Sequence, residues 1–160
     1  DQLSEDSAKT SDVVIHALDW YQSEFKRVDA VLLLQPTSPF RKKTSIQKAI
    51  DIMRKNNCDS VVSVSATHSH PEWCFKLSNN YLKPFIKGDG INKRSQDLVP
   101  AYNVNGNLYL TKTEALIKNN SFFSNKTIPY ITNSYIESLD IDTMDDFELA
   151  KYYINQGLWF

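Results

Sequence analysis

The apolar positions of the chain switch between two periods, and the switches mark out the elements. Val31, Leu32, Leu33 and Leu34 form a continuous apolar run without alternation, the pattern of a strand buried on both faces of a parallel sheet. Ahead of it Val14, Ala17, Leu18 and Tyr21 recur at i, i+3, i+4 and i+7, which predicts a helix over 11–25 with Thr10 or Ser11 as its cap. Behind it Ile46, Ala49, Ile50 and Met53 stripe a second helix, opened by Thr44 and Gln47 at capping-box spacing and closing near Asn56 and Asn57. The run SVVSVSA at 60–66 reads as another strand, so strand, helix and strand make a βαβ unit with a right-handed crossover and set a parallel sheet at the centre.

From 67 to 100 the periodicity fails. Pro71, Pro84, Gly88 and Gly90 interrupt scattered aromatics such as Trp73, Phe75, Tyr81 and Phe85, and the stretch reads as an irregular excursion that forms a small hairpin arm. Exposed aromatics on such an arm suggest either oligomerisation or packing within the same subunit. The sheet resumes with NLYLT at 107–111, a short helix follows at 113–119, and strands are expected near 128–132 and 138–141. Thr143 caps a closing helix with Asp145 and Asp146 in its first turn, and Gly157 ends it. The expected class is α/β, with a mainly parallel central sheet flanked by helices.

Composition narrows the setting. A length of 160 residues suits one domain, which at that size buries roughly 70% of its unfolded surface. Cys58 and Cys74 have no pairing pattern and read as reduced thiols of a cytoplasmic protein. A formal net charge of −1 argues against a broad nucleic-acid or membrane surface, although Arg41, Lys42 and Lys43 could grip a phosphate. No apolar run approaches the ~18 residues of a membrane span. The polar, acidic opening DQLSEDSAKT has neither the basic nor the apolar region of a secretory signal, so the glycosylation sequons at Asn119 and Asn125 count as chance matches. The opening also lacks an initiator Met, and the expectation is a chain that begins inside a larger domain.

Four features could carry chemistry. The apolar run at 31–34 stops at Gln35, Pro36, Thr37, Ser38 and Pro39, a rigid polar turn at a strand's carboxyl end, where open α/β sheets bind ligands. It also reads as an ordinary β-to-α connection. Asp140 and Asp142 flank Ile141, and on an extended segment the period of two turns both carboxylates to one side, able to share a divalent cation. Asn105-Gly106 is a turn dipeptide leading into the strand that holds Tyr109. Lys93, Arg94 and Gln96 could bind phosphate or carboxylate, or form a solvated loop. His68, His70 and Cys74 do not make a zinc site, because no second closely spaced Cys or His pair completes a tetrahedron.

Taken together, LLLQPTSPFR, RSQD, NGNLYL, NNSFF and SLDIDT occur in an order that resembles the acylneuraminate cytidylyltransferases, the CMP-N-acetylneuraminic acid synthetases, along nearly the whole chain. The resemblance implies a Rossmann-like nucleotidyltransferase fold with a dimerisation arm at 67–100, acting as a homodimer on CTP and a nonulosonic acid with Mg²⁺. It implies that Gln35, Arg94 and Asp142 are catalytic and that Ser7, Thr10 and Gln35 touch the nucleotide. It places Gln35, Gln96, Asn105, Tyr109, Phe122 and Phe123 on the sugar, and Asp140 and Asp142 on the metal. Ser95 stands where the family's basic motif usually has a second arginine, so Lys93 or Arg94 covers that role. Asn103 replaces a residue that is basic in some relatives. No glycine-rich, basic phosphate loop occurs in the chain, and the resemblance therefore implies an N-terminally truncated polypeptide with little activity alone.

On this reading the sugar's anomeric hydroxyl attacks the α-phosphorus of CTP in line, and pyrophosphate leaves. Two other readings are carried beside it. One is a cytidylyltransferase for another 2-keto sugar acid, namely legionaminate, pseudaminate or KDO. The second is a catalytically dead binding or dimerisation module.

Overall fold

The computed structural model describes residue 5 and residues 8–159; Ser7, expected at the nucleotide, lies outside them. The elements run α1 (Thr10–Glu24), β1 (Ala30–Leu33), α2 (Lys43–Lys55), β2 (Ser60–Ala66), β3 (Phe75–Ser78), β4 (Tyr81–Pro84), β5 (Tyr102–Lys112), α3 (Thr113–Asn119), β6 (Thr127–Ile131) and α4 (Met144–Asn155). Ser65–Asn103 forms one compact unit and the remainder of the chain another.

The larger unit is built on a four-stranded sheet in the order β1-β5-β2-β6. β2 and β6 pair in parallel, from Ser60 opposite Thr127 to Val64 opposite Ile131. β5 runs the other way between β1 and β2. Leu32 faces Leu110 and Leu33 faces Tyr109 in an antiparallel register, while Lys112 N donates to Asp59 O at 2.9 Å and Leu108 N to Ser63 Oγ at 2.9 Å. Three of the four strands therefore point the same way, as a mainly parallel sheet requires. The apolar stripe of α2 covers one face, where Ala49, Cys58, Val61, Leu108 and Leu110 are buried with Leu32, Ile50, Met53 and Ile128 packed around them. α1 meets α3, and Asn120 Nδ2 donates to Asp12 Oδ1 at 2.7 Å.

Three expectations are corrected here. β1 is an edge strand of this sheet and only half-buried, so its unbroken apolar run does not mark a strand enclosed on both faces. No strand forms at 138–141. Instead, Ser138 and Leu139 close turns onto Ser134, Tyr135 and Ile136, and the apolar residues Leu139 and Ile141 are satisfied by packing with Phe40, Ala150, Tyr153 and Trp159 rather than by a ladder. The N-terminal caps of the first two helices also differ. α1 and α2 follow Lys9 and Lys42, with no side-chain cap bond at either, while Gln47 turns to Asp51 at 3.2 Å.

α4 behaves as its sequence requires. Thr143 and Asp146 form a reciprocal capping box, and Gly157 takes the positive φ of 63° that terminates the helix. The Thr143 hydroxyl and then its N–H hold the Asp146 carboxyl below the usual carboxylate range. Because the folded value is the lower one, the cap's contribution is complete at neutral pH and is lost as pH falls through that lowered range.

In the smaller unit β3 and β4 pair as an antiparallel hairpin. Asn79 and Asn80 make its turn, with φ of 52° and 64°, a left-handed pair that asparagine tolerates. His70 opens a short 3-10 turn at Pro71–Trp73, where Glu72 N donates to its Nδ1. Among the described residues no helix is long and apolar enough to cross a membrane.

Candidate active site

The polar turn after β1 folds back on itself. Ser38 N donates to Gln35 O at 3.3 Å, and the Ser38 side chain is fully buried. Its hydroxyl donates to Asp140 Oδ1 at 3.1 Å and lies 3.4 Å from Asn105 O. Ile141 N donates to Thr37 O at 2.8 Å, so the segment holding Asp140 is docked on this turn directly, by one main-chain bond and one side-chain bond.

Asn105-Gly106 is not a hairpin turn, since both residues lie inside β5. Gly106 takes φ of 72°, the left-handed region open to glycine. A Cβ there would sit 2.6 Å from Ser38 Oγ, 2.7 Å from Gln35 Oε1 and 3.2 Å from Asp140 Oδ2. Three side-chain oxygens from two separate segments thus converge over a bare Cα. The buried Asn105 Nδ2 has no protein hydrogen-bond partner, and a donor buried without a partner costs about 1–3 kcal/mol unless something outside the protein accepts from it.

Tyr109 OH reaches Gln35 Oε1 at 3.4 Å. Burial first, and then the negative charge of Asp140, push this hydroxyl's pKa up, so Tyr109 remains a neutral donor beside the carboxylate. Its ring packs on Phe122 and Phe123 with centroids 5.5 and 6.3 Å away. Phe122 is buried and Phe123 is exposed. The structure therefore brings together Gln35, Asn105, Tyr109, Phe122, Phe123 and Asp140 from the expected set.

The other expected residues are placed differently. Asp142 is exposed, and its main-chain N–H donates to Asp146 Oδ2 at 3.2 Å. Thr10 is the first residue of α1. Arg94 and Gln96 belong to the smaller unit, where Arg94 precedes the 3-10 turn Ser95–Asp97 and forms an exposed ion pair with Asp97 at 2.9 Å.

Sequence reasoning missed a buried polar framework beneath these groups. Arg41, which reads as part of a phosphate-gripping cluster, donates from Nε to Asn107 O at 2.7 Å and from Nη2 to Gln35 O at 2.8 Å. Asn107 is almost completely buried and donates from Nδ2 to Phe40 O at 2.9 Å and to Glu137 O at 2.7 Å. The buried Glu137 carboxylate accepts from Ser45 Oγ in the first turn of α2, and Tyr130 OH of β6 donates to the same Ser45 oxygen at 3.0 Å. Asn107, a polar residue directly ahead of the run Leu108, Tyr109 and Leu110 in β5, was a signal available in the sequence.

Among the described residues no three His, Cys, Asp or Glu side chains cluster as a metal site. Asp140, with Asp142 two residues on and the oxygens of Ser38 and Gln35 close by, fits a different requirement. Mg²⁺ takes one or two carboxylates from the protein and completes its octahedron with water and phosphate oxygens.

No protein-family model matches the chain. The CMP-N,N'-diacetyllegionaminic acid synthase of Legionella pneumophila is 39% identical over 154 residues, which cover 92% of this chain and 65% of that protein. The N-acylneuraminate cytidylyltransferase of Streptococcus agalactiae serotype V is 34% identical over 146 residues, covering 91% of this chain and 34% of the relative. The chain thus spans from about a third to just under two thirds of the length of these relatives. Among solved structures, CMP:2-keto-3-deoxy-manno-octonic acid synthetase complexed with CTP superposes with a TM-score of 0.60 at 11% identity, over 95% of this chain and 70% of that one. A 4-diphosphocytidyl-2C-methyl-D-erythritol synthase from Anaerococcus prevotii gives 0.60 at 15% identity, over 93% and 68%; at such identities the likeness is one of fold. The QPTSP turn, the NGNLY strand and the DID segment thus meet in a chain whose sequence relatives, similar over more than nine tenths of its length, include N-acylneuraminate cytidylyltransferases and a CMP-N,N'-diacetyllegionaminic acid synthase.

Proposed function

We propose that the protein of which this chain carries the Gln35–Asp140 site transfers a cytidylyl group from CTP to a nonulosonic acid. The observation that carries the reading is the convergence of Gln35 Oε1, Ser38 Oγ and Asp140 Oδ2 over Gly106, in a chain with these relatives. In the reaction a bond forms between the sugar's anomeric oxygen and the α-phosphorus of CTP. The bond from that phosphorus to the bridging oxygen breaks, pyrophosphate leaves, and the hydroxyl proton passes to solvent or to a nearby base.

Positioning and charge neutralisation are the protein's main tasks in such a transfer. Gln35 orients substrate by hydrogen bonds, and Tyr109, kept neutral beside Asp140, holds the Gln35 amide. The apolar wall of Tyr109 and Phe123 faces the sugar, with Phe122 supporting it from the core. Thr10 would contact the nucleotide. Asp140 and Asp142 would hold Mg²⁺, which when bound neutralises phosphate charge and lowers the pKa of the attacking hydroxyl.

The relative with 39% identity is named for N,N'-diacetyllegionaminic acid, so that acid is the substrate to try beside N-acetylneuraminic, pseudaminic and 3-deoxy-manno-octonic acids. A polypeptide of the relatives' full length carrying this chain is expected to release pyrophosphate from CTP with one nonulosonic acid and to form the matching CMP-sugar, read by chromatography and mass. Turnover with none of the four acids, at protein concentrations that bind CTP, would overturn the reading. Binding of a CMP-sugar without turnover would instead assign a binding module.

We also propose a cytoplasmic homodimer formed through the hairpin. The β3–β4 register puts Phe75, Leu77, Leu82 and Pro84 on one face, opposite Lys76 and Lys83, and Leu77 and Leu82 are each about 70% exposed. A bare apolar face of that kind needs a cover. Light scattering at micromolar concentration is expected to give twice the monomer mass, and Leu77→Asp with Leu82→Asp to give the monomer. A wild-type monomer at that concentration would sink the dimer.

A further inference from the structure

Gln35 and Asp140 are far apart in the chain, yet Gln35 Oε1 and Asp140 Oδ2 lie 2.7 and 3.2 Å from where a Cβ on Gly106 would sit. Two hydrogen bonds, Ser38 Oγ to Asp140 Oδ1 and Ile141 N to Thr37 O, join their two segments directly, and Phe40 packs on Leu139 and Ile141. Further polar connections run through two residues with no place in the proposed chemistry.

We infer that Arg41 and Asn107 are positioning residues, a clasp that fixes the Gln35 turn and the Asp140 segment to β5 and so sets the spacing of Gln35 and Asp140 across Gly106. The inference rests on the reading just given for what that spacing serves. The guanidinium of Arg41 bridges two main-chain carbonyls, Gln35 O at the start of the turn and Asn107 O on β5. The fork geometry of arginine allows both bonds at once, whereas the single ammonium of lysine does not fix two directions. Asn107 completes the clasp from the strand side. Its two amide protons go to Phe40 O at the far end of the turn and to Glu137 O, just ahead of Asp140. Glu137 is anchored in turn to α2 through Ser45 and to β6 through Tyr130. Both ends of the turn and the Asp140 segment therefore refer to the same two residues. Among the described residues Arg41 has no carboxylate as a hydrogen-bond partner, so its bonds to the main chain are not incidental to an ion pair there.

The test uses Arg41→Met and Arg41→Lys, because Arg41 is half-exposed and its loss leaves the apolar core intact. In the 160-residue chain, amide exchange at Ser38 and Ile141, the two N–H groups that hold the turn and dock the Asp140 segment, is expected to quicken roughly tenfold or more in both variants. Exchange at Thr132 N, which bonds to Val64 O across β2 and β6, is expected to stay as in the wild type. In the full-length protein, kcat for CMP-sugar formation is expected to fall about a hundredfold with KM for CTP changed by less than about threefold, and lysine is expected not to rescue it. Unchanged exchange at Ser38 and Ile141 overturns the clasp whether or not the protein proves to be an enzyme. Faster exchange with an undiminished kcat overturns its role in positioning. Quickened exchange in a protein whose wild type turns over no acid upholds the clasp and removes the proposed function alone.

Discussion

Replacing Gly106 by alanine is expected to damage both the fold and the site, with a loss of about 2–4 kcal/mol of stability and of measurable catalysis. Two costs add. A non-glycine residue at φ of 72° sits in the left-handed region at roughly 1–2 kcal/mol. The new methyl would also lie 2.6 Å from Ser38 Oγ and 2.7 Å from Gln35 Oε1, closer than carbon and oxygen can approach. Gln35 can rotate away, but Ser38 is fully buried and its bond to Asp140 breaks if it moves. A chain of this size shifts its melting temperature by about 2–4 °C per kcal/mol, so the midpoint should fall by roughly 5–15 °C. CTP-dependent pyrophosphate release in the full-length protein should fall further than the loss of folded protein explains. An alanine variant that melts like wild type and keeps its turnover would show that the space over Gly106 is not used.

What could be read from the sequence was local. The stripe of α2, the bounds of α3 and the Thr143 cap of α4 depend on residues within one or two turns of each other, and the structure has them where periodicity and capping chemistry put them. The small hairpin expected within 67–100 forms as β3 and β4, turned by the asparagine pair at 79–80. Errors arose where a distant partner decides. The apolar residues around 138–141 alternate like a strand, but Leu139 and Ile141 find their burial against Phe40 and α4, and nothing local distinguishes side-chain packing from a β-ladder. Four apolar residues in succession at 31–34 gave no indication that β1 borders only one strand of the described sheet.

The site divides along the same line. Gln35 and Asp140 could be named because their residue types announce hydrogen bonding or charge beside apolar segments, whereas Tyr109 entered through the family resemblance. Ser38 was seen as one hydroxyl of a turn, and that its side chain would bond to Asp140 depends on how the two segments dock. Arg41 was misleading in a specific way. Next to Lys42 and Lys43 it looks like one of three solvated cations, whereas its guanidinium donates to two carbonyls and its partial burial lowers its pKa. Such a turn inward is fixed by the positions of Gln35 O and Asn107 O, which only the folded chain supplies.

Asp140→Asn and Asp142→Asn are each expected to reduce turnover in the full-length protein by about a hundredfold to a thousandfold, the range for removing one preorganised electrostatic contact to a reacting group. Folding should survive both changes. Asp142 is exposed, and at position 140 an asparagine oxygen can still accept from Ser38 Oγ, so neither variant leaves a buried donor unpaired. What each removes is a negative charge where Mg²⁺ would be held, and a cation that relies on one or two carboxylates binds more weakly without one of them. Part of the lost rate should therefore return on raising Mg²⁺ or substituting Mn²⁺. Asp146→Asn supplies the contrast, because its carboxylate belongs to the α4 capping box and accepts from Thr143 N, Thr143 Oγ1 and Asp142 N. It should lower the melting temperature slightly by weakening the cap and leave the Mg²⁺ dependence of the rate as in the wild type. If both Asp140→Asn and Asp142→Asn kept wild-type rates and metal dependence, the two aspartates would be a partner for Ser38 and a solvated residue ahead of a helix, and the metal would have to be held elsewhere.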